Sequence, residues 1–227
     1  MHDIKAIAFD AYGTLFDVHS VAAMAEQMFP GNGPQLSLLW RAKQIEYTQV
    51  RTLSGRYKPF WDVTQDGLRF ALNKLGLPAS DANVARLMSQ YTCLAAFPEN
   101  LAALRELKAM GRPLAILSNG TPDMLEIAVK SAGMTGLFDH LLSVDAVKKY
   151  KTAAEAYQLG PAAFGLPVRD ILFVSANGWD ACGATWFGYT TFWINRTGQP
   201  AEELDVAPTV SGAKLTDVVD FVRQAQI

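Results

Sequence analysis

The chain has 227 residues, half of them hydrophobic and 19% charged, which suits one sizeable core or a core with a smaller insert. Lys plus Arg number 20 against 22 Asp plus Glu, so no global field draws in nucleic acid or an anionic membrane. No stretch of eighteen or more apolar residues runs together, the opening residues lack a secretory pattern, and Cys93 and Cys182 form no metal-ligand spacing. The expectation is a cytoplasmic protein.

The first element is the apolar run Ile4 to Phe9, ending at Asp10, which reads as a strand buried on both faces. The stretch 17–97 then carries no strand pattern. Pro34 suits a first helical turn, with Leu36, Leu39, Trp40 and Tyr47 following at helical spacing; Pro59 to Leu75 and Ser80 to Tyr91 read as two further helices. This block is expected to be a helical cap domain, with residues 1–16 and 98–227 forming the core. Beyond Pro98, helical patterns (Leu101 to Leu107, Asp123 to Ala132, Asn177 to Phe187) alternate with apolar runs at Pro113 to Leu117, His140 to Val144, Ile171 to Val174 and Tyr189 to Ile194. Alternation of this kind predicts an α/β fold with a doubly wound parallel sheet.

In such a sheet the functional crevice lies beyond the carboxyl ends of the strands. The strand ends here read Asp10-Ala11-Tyr12-Gly13-Thr14, Ser118-Asn119-Gly120 and Ser175-Ala176-Asn177-Gly178-Trp179-Asp180, with Lys151 ahead of a helix that returns towards the last of them. Taken alone, Asp10 reads as a turn acid and the run Lys148-Lys149-Tyr150-Lys151 as a solvated face. Together the three polar clusters and one lysine converge on one rim and read as a catalytic site.

The order Asp-x-x-Gly-Thr, Ser-Asn-Gly, Lys and an Asp-bearing loop resembles the haloacid dehalogenase superfamily. The runs Phe9 to Asp17, Ser175 to Asp180 and Trp193-Ile194-Asn195-Arg196 resemble its L-2-haloacid dehalogenases. That resemblance implies a Rossmann-like core with a cap, and hydrolytic removal of halide from small 2-haloacids through an aspartyl ester on Asp10. It implies that Lys151 keeps Asp10 ionised, that Thr14 hydrogen-bonds it, and that Asp180, positioned by Ser175 and Asn177, activates water. Ser118 and the backbone at Ala11 and Tyr12 would hold the substrate carboxylate. Arg41, Asn119 and Trp179 match the halide cradle. Tyr12, Phe60 and Trp179 match an apolar wall, and Tyr157 matches a position near the site, grouped with the residues that bind substrate. A homodimer follows from the same resemblance.

Chemistry supports the subfamily. Phosphatases of this superfamily place a second acid two residues after the nucleophile, to protonate an alkoxide; here that place is Tyr12. Halide leaves without a proton. Their magnesium-binding Asp corresponds to Ala176, so neither metal nor cofactor is expected. The chain departs from the family at Ala176, usually Ser, and at Thr152, usually Pro. A magnesium-dependent phosphatase and a non-catalytic binding protein of the same fold are the alternatives. A serine hydrolase is disfavoured, because His2, His19 and His140 lie in no motif and no GxSxG elbow exists.

Overall fold

The computed structural model of the chain describes residues 3–225; His2 lies outside them. Strand β1 (Ala6–Phe9) is buried along its whole length. Ile7 and Phe9 join one apolar cluster and Ala6 and Ala8 another, as the two-residue period of a strand requires. A strand covered on both faces must read as a continuous apolar run. Truncating the fully buried Phe9 to alanine would cost ~3–5 kcal/mol.

After β1 the chain leaves the sheet through α1 (Ala22–Met28), α2 (Gly33–Leu53), α3 (Phe60–Lys74) and α4 (Asp81–Thr92). Pro34 occupies the first turn of α2, where its missing N–H costs nothing. Ser80 caps α4, its Oγ accepting from the Asn83 N–H at 3.3 Å. Outgoing and returning segments lie side by side: the Asp17 N–H donates to the Ala95 carbonyl at 2.8 Å.

The chain continues through α5 (Asn100–Ala109), β2 (Leu114–Ser118), α6 (Pro122–Ser131) and β3 (His140–Ser143). It then passes through the short helices α7 (Ala154–Tyr157) and α8 (Leu159–Phe164) to β4 (Ile171–Ser175) and α9 (Gly178–Phe187). β5 (Thr190–Ile194), β6 (Val210–Gly212) and α10 (Leu215–Gln224) complete it. The strands lie in the order β3-β2-β1-β4-β5-β6, every neighbouring pair parallel. The chain therefore winds outwards on one side of β1 and then on the other. That reversal opens a crevice at the carboxyl ends of β1, β2 and β4.

Each strand expected from the sequence forms, with ends shifted by one or two residues. α1, β6 and α10 are additions to that reading. β6 is three residues long at the sheet edge, too short to show a period. α10 places Leu215, Val218, Val219 and Val222 on one buried face, so its spacing was legible.

Candidate active site

Three strand ends and one loop build the site. Phe9 of β1 lies level with Ile116 of β2 and Val174 of β4. Asp10, Ser118 and Ser175 therefore emerge at the same rim. Asp10 is largely buried, so its charge depends on protein partners. Lys151 Nζ donates to Asp10 Oδ1 at 3.0 Å. Thr14 Oγ1 and Asn177 Nδ2 donate to Oδ2 at 3.0 and 2.8 Å. The Thr14 hydroxyl can aim its proton at Asp10 because its lone pair accepts the Ala176 N–H at 2.8 Å.

Lys151 bridges two carboxylates. Its Nζ also donates to Asp180 Oδ2 at 3.0 Å, and that oxygen accepts from Ser175 Oγ at 2.9 Å. Tyr157 Oη donates to Asp180 Oδ1 at 2.7 Å. Burial by itself would push the Lys151 ammonium down, but the charges of Asp10 and Asp180 outweigh it and hold its pKa above the ordinary lysine value. Burial raises the pKa of Asp180, while Lys151 and Tyr157 pull the other way. We take Asp180 as ionised against its lysine yet more basic than an exposed aspartate. Burial, then the charge of Asp180, keeps the Tyr157 hydroxyl protonated and so a donor.

Above Asp10 lies a small, narrow-mouthed space lined by Asp10, Ser118, Asn119, Asn177 and Trp179 at the strand ends, and by Tyr12, Arg41, Ile45 and Phe60. A wider cleft of about 1410 Å³ lies beyond it, and Arg41 and Asn177 line both. The smaller space holds the carboxylate and is the candidate reaction chamber. Arg41 projects from α2 and donates through Nη2 to the Tyr12 carbonyl at 3.0 Å and to Asn177 Oδ1 at 3.3 Å. Asn119 Oδ1 accepts the Lys151 N–H at 3.0 Å, fixing the lysine loop to the β2 loop.

Two glycines make these approaches possible. Gly13 has φ +98°, and a Cβ there would lie 3.4 Å from the Asn177 side chain. A Cβ on Gly120 would lie 2.7 Å from the Tyr12 ring, which only hydrogen allows.

Two expectations change. Asn177 was expected to position Asp180, but its side chain serves Asp10; only its backbone turns towards Asp180, whose N–H donates to the Asn177 carbonyl at 3.1 Å. It stands at the N-cap of α9 without capping it, because its amide is drawn over Gly13 to the carboxylate. Tyr157 was expected against the substrate, but it is fully buried behind Asp180. The Ala11 carbonyl accepts from Leu15 and Phe16 at 2.8 and 3.0 Å and closes the turn. Sequence reasoning passed over Ile45, although it lies four residues beyond Arg41 and so on the same helical face. Lys148 and Lys149 are exposed, paired with Asp145 and Glu155.

A buried aspartate at the tip of the central strand, held by lysine and threonine under a helical roof, defines a class of α/β hydrolases with a carboxylate nucleophile. The chain belongs to one family of that class: the model for haloacid dehalogenase-like hydrolases matches residues 4–188, and its relatives place it among the (S)-2-haloacid dehalogenases, which cleave carbon–halide bonds. It is 48% identical to the (S)-2-haloacid dehalogenase of Pseudomonas sp. (strain YL), across 99% of this chain and 97% of that protein. It superposes on the crystal structure of the L-2-haloacid dehalogenase RSc1362 with TM-score 0.96 at 64% identity, covering 97% and 99% of the two chains. It also superposes on the L-2-haloacid dehalogenase of Xanthobacter autotrophicus with chloropropionic acid covalently bound, with TM-score 0.92 at 37% identity over 97% and 98%.

Proposed function

We propose that this protein removes halide from L-2-haloalkanoic acids, giving 2-hydroxy acids of inverted configuration. The observation that carries the reading is the Asp10 carboxylate, buried under the chamber with a lysine, a threonine and an asparagine donating to it. An Asp10 oxygen attacks C2 in line with the departing halide; the C2–O bond forms as the carbon–halogen bond breaks, and halide takes the electron pair. Ser118 and the backbone at Tyr12 hold the substrate carboxylate, while Phe60, Trp179 and Ile45 enclose its alkyl group. The Arg41 guanidinium, the Asn119 amide NH2 and the Trp179 edge receive the halide.

Water then attacks Cγ of Asp10, giving up a proton to Asp180, whose raised pKa makes it a better base. The Cγ–O bond to the substrate breaks, the product alkoxide takes the proton back from Asp180, and Asp10 gives up the remaining water proton to solvent, which restores its carboxylate. Ser175 and Tyr157 orient Asp180 for this step, and Asn177 and Thr14 hold Asp10 for the first. No divalent ion enters the scheme. Ala176 offers no carboxylate, and the Lys151 ammonium sits between the two acids that are present.

We assign residues 17–97 to a cap over a core of 1–16 and 98–227. A homodimer rests on the family alone, and sedimentation equilibrium tests it. A cytoplasmic location is read from the two unpaired cysteines; among the described residues no helix is long and apolar enough to cross a membrane. The activity is tested by halide release from both 2-chloropropionate enantiomers with chelator present. Release from the L enantiomer is expected. Turnover confined to the D enantiomer, or magnesium-dependent hydrolysis of phosphate esters, overturns the proposal.

A further inference from the structure

Arg41 reaches the chamber on a long side chain with rotamer freedom to lose, so something must hold it. Three residues further along α2, on the same side of the helix, Gln44 is fully buried. Its Oε1 accepts from Arg41 Nη1 at 2.6 Å, and its Nε2 donates to Thr64 Oγ1 at 2.6 Å. Tyr91 Oη lies 3.0 Å from Nε2 and 3.2 Å from Oε1. The Thr64 hydroxyl donates to the Phe60 carbonyl at 2.7 Å, so it must accept from Gln44. A guanidinium can only donate. The amide therefore has one orientation that satisfies both neighbours, with oxygen to Arg41 and nitrogen to Thr64.

α2, α3 and α4 thus converge on one buried amide, and the Tyr91 ring stacks on the chamber wall at Tyr12, 5.6 Å between centroids. A leucine at this position would pack the helix contact without desolvating an amide. What leucine lacks is a lone pair aimed at Arg41. We propose that Gln44 is a positioning residue that fixes the Arg41 guanidinium towards the departing halide. The inference rests on the role given to Arg41 above.

The test is kcat/KM for L-2-chloropropionate and L-2-bromopropionate in the wild type, Gln44→Leu, Gln44→Met and Arg41→Lys. This constant covers the steps up to halide departure. Chloride is the poorer leaving group and asks more of its cradle, so a loosened Arg41 costs the chloro substrate more. Both Gln44 variants raise the bromo-to-chloro ratio roughly tenfold and weaken inhibition by added chloride. A smaller folded fraction lowers both rates alike and leaves the ratio unchanged, which separates positioning from stability. If Gln44→Leu fails to fold, Gln44→Met, similar in length and without that lone pair, decides. A ratio within about twofold of wild type in a folded Gln44 variant, while Arg41→Lys moves it, overturns the inference. A ratio unmoved by Arg41→Lys overturns the halide role of Arg41 itself.

Discussion

Replacing Lys151 with methionine preserves side-chain length and removes the charge, so it isolates what the ammonium does. Nζ lies 3.0 Å from Asp10 Oδ1 and 3.0 Å from Asp180 Oδ2, so the two oxygens stand at most about 6 Å apart. At an effective dielectric constant of ~20, two negative charges at that distance repel by ~3 kcal/mol. Both acids are buried, so water screens little of this. With the lysine gone, the pair gives up its second proton only at higher pH, as carboxylate pairs sharing a site do. That energy equals ~2 pKa units, or about a hundredfold in rate. Halide release should fall by up to that factor on the acid side of neutrality and recover as pH rises. The assay is the pH–rate profile of both proteins, with circular dichroism to confirm the fold. A variant within about threefold of wild type and with an unshifted profile would refute the reasoning. Stability carries a second sign. The Lys151 pKa lies above 10.5 in the folded state, so its contribution is whole below that value and lost as pH climbs through the raised one. Asp180 is raised from 3.8, so the folded protein keeps that proton longer than the unfolded chain, and stability falls as pH rises through that window. Thermal melts should show a steeper fall in the methionine variant.

Because Asn177 holds Asp10 while Asp180 serves the water, their variants should stall at different steps. Asp180→Asn should accumulate the ester, seen as added mass on the intact protein after mixing with substrate, whereas Asn177→Ala should turn over slowly with none. Ester accumulating in the Asn177 variant would return that residue to the hydrolytic step. Gly13→Ala should lower stability by ~1–2 kcal/mol, since φ +98° is strained for alanine and its methyl meets Asn177 at 3.4 Å. Urea midpoints check this, and an unchanged midpoint contradicts the strain.

Much of the fold was legible because β1, β2 and β4 are buried at every position, which writes them as apolar runs up to their last residues. Their polar ends then announced the rim. What the sequence could not show was direction. Asn177 sits two residues from Ser175 and three from Asp180, so chain proximity suggested Asp180, whereas the turn at Gly13 carries its amide to Asp10. Tyr157 is near Lys151 in the chain but on the far side of Asp180 in space. Gln44 escaped notice because a glutamine inside a helix reads as surface until three helices close around it.

The whole mechanism depends on a covalent bond from Asp10 to substrate carbon. A single turnover in ¹⁸O-water, with enzyme in excess over L-2-chloropropionate, tests it most directly. The label is expected in the Asp10 carboxylate, located by mass spectrometry of the peptide that holds it, with unlabelled oxygen in the first product formed. Label in the product hydroxyl, with none in that peptide, would mean that water attacks the substrate directly and that Asp10 is no nucleophile.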